Sequence, residues 1–296
     1  CRKCGFVPMC PNCSISLTYH SYGDSLKCHY CGHKQENYKL CPACGSKYIR
    51  YFGGGTQRVE EEVGRLFPGA TTIRLDADVT GRKNAHKDIL ERFAREGIDI
   101  LIGTQMVSKG LDFANVTLVG VMSADTTLHI NDFRSGERTF DMLEQVSGRA
   151  GRGDKPGRAI IQTYNPDNFA IKLVKTHDYK RFYDLTDTER HVMWYPPYSE
   201  MVCIRFTDED NDRTRRAAFL FKDGFGDINR IDQKIAMLGP IPSGVSRIKN
   251  RYRWQMIIKC DNADALNDRL IRAREMAEKE FGSVMISIDK DPITIY

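Results

Sequence analysis

The chain has 296 residues, 41% hydrophobic and 28% charged, an ordinary composition for folded globular domains and enough for two domains beside a small module. No apolar run approaches the roughly 20 residues of a membrane-spanning helix, which excludes that class. Basic residues exceed acidic ones by 44 to 39, a formal net charge of +5, which permits a nucleic-acid partner without establishing one.

The chain begins with cysteines. Eight of its ten fall into four Cys-x-x-Cys pairs: Cys1/Cys4, Cys10/Cys13, Cys28/Cys31 and Cys41/Cys44. Two intervening residues let a tight knuckle aim both sulfurs at one metal, so four pairs provide for two tetrahedral Zn²⁺ sites of four thiolates each. Glycine follows Cys4, Cys31 and Cys44, as the backbone turn of such a knuckle favours. Residues 14–27 separate Cys13 from Cys28, close to the usual separation of two knuckles on one metal. Residues 5–9, between Cys4 and Cys10, leave little room for a compact site. The spacing therefore predicts nesting, with Cys10, Cys13, Cys28 and Cys31 around an inner zinc and Cys1, Cys4, Cys41 and Cys44 around an outer one. A disulfide framework is the competing reading; the lack of a signal peptide and the cytosolic character of the rest weigh against it. All-sulfur sites have no open position for catalysis. His20, His29 and His33 are expected at the surface or as outer partners of the ligands. Because Cys1 is itself a candidate ligand, the chain is expected to begin inside a larger protein.

Beyond the cysteines, residues 48–52 read as a short strand and 56–66 as a helix stopped by Phe67-Pro68-Gly69. A strand over 71–75 and a helix over 84–95 follow. Residues 98–102 and 116–122 are continuous apolar runs, as expected of strands buried on both faces. A helix over 135–150 and a strand over 158–163 complete an alternation that argues a parallel α/β sheet from about 49 to 165. Residues 166–199 read as largely helical up to Pro196-Pro197. The pattern then changes to a small α+β domain, with strands over 201–206, 253–260 and 284–288 and helices from about 213 and over 263–281. The expected domains are thus 1–48, 49–199 and 200–296. Cys203 and Cys260 lie in apolar runs and read as buried structural thiols.

Two segments carry chemistry. Gly103-Thr104-Gln105 through Lys109-Gly110-Leu111-Asp112-Phe113 follows a strand, where ligand-facing loops of α/β sheets sit. Thr104 and Gln105 can hydrogen-bond a phosphate backbone, Lys109 adds charge, and the glycines let the main chain approach closely. Gln145-Val146-Ser147-Gly148-Arg149-Ala150-Gly151-Arg152 places two arginines three apart near a helix end, so both can point one way. Paired guanidinium forks suit a phosphoryl group whose charge is redistributing. The competing reading is a solvated pair favoured by the helix dipole. Further on, Arg247, Lys249, Arg251 and Arg253 alternate with Ile248, Asn250, Tyr252 and Trp254. Alternation puts the basic groups on one strand face, where they bind phosphates or blunt an edge strand, while the aromatics stack on bases or pack the core.

Thr104-Gln105-x-x-x-Lys109-Gly110-x-Asp112-Phe113 followed by Gln145-x-x-Gly148-Arg149-x-Gly151-Arg152 resembles motifs V and VI of superfamily 2 helicases. The cysteine array ahead of Gly55-Thr56-Gln57, with Leu238-Gly239-Pro240-Ile241-Pro242 and Arg251-Tyr252-Arg253-Trp254-Gln255 behind, is similar to the PriA (primosomal protein N′) family of replication-restart helicases over essentially the whole chain. The resemblance implies a RecA-like second motor lobe, a two-zinc cysteine-rich module and a small C-terminal α+β domain. It implies ATP- and Mg²⁺-dependent 3′-to-5′ unwinding of branched DNA at stalled forks, followed by primosome assembly in the bacterial cytoplasm. Carried over, Arg149 and Arg152 are arginine fingers on the ATP γ-phosphate. Gln145, Gly110 and Asp112 belong to the nucleotide interface, and Thr104, Gln105, Lys109, Arg251 and Arg253 face DNA. Nested zinc pairing is the family arrangement. Implied partners are branched DNA, single-stranded DNA-binding protein, and primosome and replicative-helicase loading proteins; none is a membrane. The sequence departs from the family in having no G-x-x-x-x-G-K-[ST] phosphate loop and no acidic Mg²⁺ motif in a first lobe. Asp208-Glu209-Asp210 reads as an exposed acidic turn. The chain is therefore expected to be a C-terminal fragment that does not hydrolyse ATP alone. A related branched-DNA translocase such as RecG would share motifs V and VI without the cysteine array. A zinc-dependent nucleic-acid-binding or scaffold module would need no paired arginines beside a nucleotide.

Overall fold

The computed structural model describes residues 1–20, 23–49, 55–76, 84–108, 113, 115–151 and 156–295. The strand expected over 48–52 falls mostly outside them. The chain divides into two compact units, one of Cys1–Tyr51, Asn131–Phe133 and Asp184–Tyr296, the other of Phe52–Ile130 and Arg134–Tyr183.

In the first unit β1 (Thr18–His20), β2 (Ser25–Lys27) and β3 (Lys34–Glu36) form an antiparallel sheet among the cysteine pairs. Strands of three residues bury little apolar surface, so this module depends on its metal sites for a fixed fold.

The second unit runs through α1 (Thr56–Leu66), β4 (Thr72–Leu75), α2 (Ala85–Arg95), β5 (Ile100–Gly103), β6 (Leu118–Val121), α3 (Asp125–Leu128), α4 (Ser135–Ser147), β7 (Arg158–Ile161), α5 (Phe169–Val174) and the start of α6 (Tyr179–Val192). Helix α1 takes the bounds its punctuation predicts. β4 pairs with β5 and β6 with β7, both in parallel register, each across an intervening helical connection. The expected single sheet is thus two parallel pairs among the described residues. The expected burial of both faces of the run over 116–122 is also not observed, since Leu118 and Met122 are 59% and 60% exposed. A continuous apolar run has the same sequence whether or not something covers its second face. The core lies between α4, α5 and the start of α6, where Phe140, Leu143, Ile171, Leu173 and Val174 meet Phe182. The Phe140 and Phe182 rings stack at 3.9 Å. Burying each such side chain contributes about 1.5–3 kcal/mol.

The rest of the first unit is β8 (Glu200–Asp208), α7 (Asn211–Phe225), β9 (Ile235–Ile248), β10 (Arg251–Cys260), α8 (Asn267–Glu280) and β11 (Met285–Lys290). The strand order β11-β8-β10-β9, antiparallel throughout, is two interlocked split βαβ units. Helices α7 and α8 pack together on one sheet face, with small residues Ala217, Ala218, Gly224, Ala273 and Ala277 at their contact. A Cβ on Gly224 would lie 3.1 Å from the Ala273 Cα, so any larger residue would part the helices. Phe206, Phe221, Phe225, Met256 and Ile258 fill the core beneath. The opposite face is covered too: Met201, Cys203 and Ile257 pack with Ile295, Tyr195 and Phe133. There Lys259 is only 7% exposed, with its ammonium on the Met193 carbonyl at 2.7 Å and over the Tyr195 ring at 4.2 Å. Cys203 and Cys260 are buried, as expected.

Strand β9 has no counterpart in the sequence reading, which places no element between the helix from about 213 and the basic residues from Arg247. It lies at the sheet edge, where prolines remove no needed ladder bond. Lys249 and Asn250, with φ of 51° and 62°, make a two-residue hairpin turn into β10. The basic stripe expected on one strand is therefore split. Arg247 on β9 pairs across with Tyr252 and shares its face, whereas Arg251 and Arg253 take the other face of β10. The acidic turn is exposed at Glu209 and Asp210, as expected, and corrected at Asp208 alone. Asp208 is 3% exposed and accepts the Asp210 N–H at 2.9 Å, while Asp210 caps α7 by accepting the Arg213 N–H at 3.0 Å.

Candidate functional site

The thiols gather as the spacing predicts. Cys1, Cys4, Cys41 and Cys44 form one group and Cys10, Cys13, Cys28 and Cys31 another, with the sulfurs of each within 4.8 Å of one another. Cys1 and Cys44 sulfurs are 3.7 Å apart, Cys4 and Cys41 3.6 Å, and Cys10 and Cys31 3.6 Å. A tetrahedron with Zn–S bonds of ~2.3 Å has sulfur edges of ~3.8 Å, so the donors fit zinc. They are far beyond the ~2.05 Å of a disulfide, and all ten thiols are free.

Three of the four knuckles close on themselves. The N–H groups of Gly5, Gly32 and Gly45 donate to the carbonyls of Cys1, Cys28 and Cys41 at 2.9, 2.9 and 2.8 Å. All three glycines have left-handed φ, between 65° and 78°. The Cys10/Cys13 knuckle is followed by Ser14 instead, and the β9–β10 hairpin completes it. Ser14 N–H donates to the Arg247 carbonyl at 2.8 Å, and Asn250 N–H to the Asn12 carbonyl at 2.8 Å. Lys249 N–H donates to the Cys13 sulfur at 3.3 Å, and Ile248 packs against the inner cluster's core. This contact escaped the sequence reading, although the missing glycine after Cys13 is its signal. The His33 ring Nε2 lies 3.4 Å from Gln35 Oε1, while the backbone N–H of His33, not its ring, donates to the Cys31 sulfur at 3.5 Å. That bond favours the Cys31 thiolate, lowering its pKa to about 6, whereas burial pushes the Cys13 thiol up to about 12. Zinc binding needs both as thiolates, so protons compete with metal here.

In the second unit the 3-10 turn of the first motif touches the helix that leads into the second. Thr104 and Gln105 are exposed just after β5, where residues 105–108 form a short 3-10 turn against α4, the helix that carries Gln145. A Cβ on Gly103 would lie 2.6 Å from the Leu75 carbonyl, so the backbones approach as closely as the motif requires. Helix α4 ends at Ser147 rather than at Ala150, because past Gly148 the Arg149 and Ala150 N–H groups donate three residues back, to the Val146 and Ser147 carbonyls at 3.1 and 3.3 Å. Arg149 therefore sits half-buried in the turn beyond the helix, not on its face. Gly151 N–H donates to the Val116 carbonyl at 2.9 Å and pins that turn beside β6. Lys109, Gly110, Asp112 and Arg152 lie outside the described residues.

In the C-terminal domain Arg251 is exposed and Arg253 half-buried. Trp254 packs on the helix side, its Nε1–H donating to Asn211 Oδ1 at 3.0 Å.

Comparison with known proteins matches three segments of the chain. Residues 10–35 match the PriA DNA helicase Cys-rich region domain, residues 46–154 the helicase conserved C-terminal domain, and residues 191–293 the primosomal protein N C-terminal domain. This chain carries the C-terminal domains of the PriA family. The replication restart protein PriA of Bacillus subtilis is 50% identical over 298 residues, covering 99% of this chain and 36% of that protein. PriA of Synechocystis is 41% identical, covering 100% of this chain and 35% of that protein. PriA of Borreliella burgdorferi is 35% identical, covering 100% and 44%. The chain thus spans less than half the length of these PriA relatives. The residues matched to the PriA cysteine-rich region include the four inner thiols.

Proposed function

We propose that this chain supplies the second motor lobe, the zinc module and the C-terminal domain of an ATP-dependent 3′-to-5′ DNA helicase that recognises stalled or branched forks and restarts replication by primosome assembly. The contact of the 3-10 turn at residues 105–108 with α4, the helix that carries Gln145, on a chain that also holds two four-sulfur clusters, supports this reading most. In it, Arg149 and Arg152 stabilise the charge of the transferring γ-phosphoryl group. Gln145, Gly110 and Asp112 line the nucleotide interface, and Thr104, Gln105 and Lys109 meet the DNA strand. Arg251 and Arg253 add contacts from the C-terminal domain, taken as residues 200–296, after a zinc module of 1–48 and a motor lobe of 49–199. The zinc sites hold the cysteine-rich module in shape, while ATP and Mg²⁺ belong to the full-length protein. This chain, without a phosphate loop, does not turn over ATP by itself. The partners are branched DNA, single-stranded DNA-binding protein and the loaders of the replicative helicase, and the setting is the bacterial cytoplasm.

Strand separation by the full-length protein tests the assignment. Arg149→Ala should lower fork unwinding and ATP hydrolysis by about 10³ with nucleotide binding retained. Wild-type unwinding by that variant would remove Arg149 from the motor.

A further inference from the structure

The sheet face turned away from α7 and α8 carries charged and polar groups that neither the motor nor the zinc centres use. β10 presents Arg253 and Gln255 there, and β8 presents Arg205 directly opposite Gln255. Arg205 and Arg253 are therefore diagonal neighbours on one face. Pro242 of β9 lies opposite Trp254, so alternation puts Ser243 on the side of Arg253. Ser243 and Gln255 are 4% and 7% exposed, yet Ser243 Oγ, Gln255 Oε1 and Arg205 Nε have no hydrogen-bond partner among the described residues. Arg205 directs its other nitrogens to Asp289 Oδ2 at 3.4 Å and the Thr294 carbonyl at 2.6 Å. Arg253 reaches the Val245 carbonyl at 3.5 Å, and no described acidic residue pairs with it. Burial, and then the neighbouring Arg205 charge, push the Arg253 guanidinium below the usual arginine range, with Tyr30 of the zinc module close enough to oppose them. One partly exposed carboxylate does not neutralise two crowded guanidinium groups.

Two separate forks, a hydroxyl and an amide that can present either end fit a group with acceptor oxygens pointing in different directions. A carboxylate is satisfied by one planar fork; a phosphodiester offers a non-bridging oxygen to each. We propose that Arg205, Arg253, Gln255 and Ser243 seat one phosphodiester of a nucleic-acid backbone on this face of the C-terminal domain. The proposal rests on the DNA-binding reading above and deepens it, because it assigns the contact to Arg253 with Arg205 rather than to exposed Arg251.

Gln255→Glu is the sharpest test, since it sets a carboxylate of the same shape against both arginines. In the zinc-loaded full-length protein it should raise the melting temperature by about 2–4 °C. The same substitution should weaken binding of a forked duplex about tenfold and reduce the slope of log affinity against log salt by about one. Arg253→Gln should reduce that slope equally without the stabilisation. Either variant binding the fork with wild-type affinity and slope, at full zinc content, overturns the pocket while the helicase reading stands. No fork binding by the wild-type protein overturns both. Variants that bind DNA normally but lose affinity for a peptide ending in acidic residues also overturn it, and give the pocket to a protein carboxylate.

Discussion

At the scale of residues, a side chain's neighbours separate structural from functional roles. Trp254 satisfies its indole N–H on Asn211 and sets its ring edge-on to Phe219 at 6.3 Å. Trp254→Phe is expected to cost about 1 kcal/mol in denaturant unfolding and to leave fork affinity unchanged, whereas weakened binding would assign the ring to DNA. Asp125, 5% exposed, accepts from Thr163 Oγ1 at 2.8 Å and from the Tyr164 N–H at 3.0 Å. Burial raises its carboxyl, but the Tyr164 N–H and Thr163 hydroxyl outweigh it and hold the group below the usual carboxylate range. A carboxyl depressed in the folded state contributes stability that is full above its unfolded value, near pH 4, and is lost as pH falls through the folded value. Asp125→Asn should therefore melt below wild type at pH 7, with the difference closing below about pH 4. A difference independent of pH would show that the charge does not matter there.

Among the elements, the β9–β10 hairpin connects the chain's chemistry to its fold. Its turn completes the one cysteine knuckle that lacks a following glycine, and Lys249 and Cys13 meet across 236 residues of sequence. Ile248→Asp, tested in a Cys1→Ser, Cys4→Ser background where only the inner zinc remains, should lower zinc affinity at least about tenfold in a chelator competition. Unchanged affinity would make the hairpin a bystander. The sequence showed the cysteine nesting because the separations between knuckles, residues 14–27 against residues 5–9, restrict which pairs can share a metal. It showed α1 because Gly55 and Pro68 punctuate it. It could not show β9, whose Gly239, Pro240 and Pro242 carry loop signals that an edge strand tolerates. Nor could it show the split of Arg247 from Arg251 and Arg253, because both turn positions are ordinary residues held with left-handed φ. The pocket of Arg205 and Gln255 was equally hidden, since it depends on the register between β8 and β10.

For the molecule as a whole, the zinc module and the C-terminal domain share one compact unit while the motor segments form the other. Zinc analysis should find two ions per chain, falling to one when Cys1 and Cys4 become Ser; loss of both ions would contradict two nested sites. The outer site then serves the module alone, and the inner one also anchors the hairpin of the C-terminal domain. The central claim is that this chain is part of a DNA-dependent motor, not a binding module. ATP hydrolysis by the full-length protein, with and without forked DNA, tests it most directly. Turnover that rises with fork DNA and collapses in Arg152→Ala while ATP still binds is the predicted result. Absence of turnover in the full-length wild type, with fork binding intact, would contradict it and leave a zinc-dependent binding module.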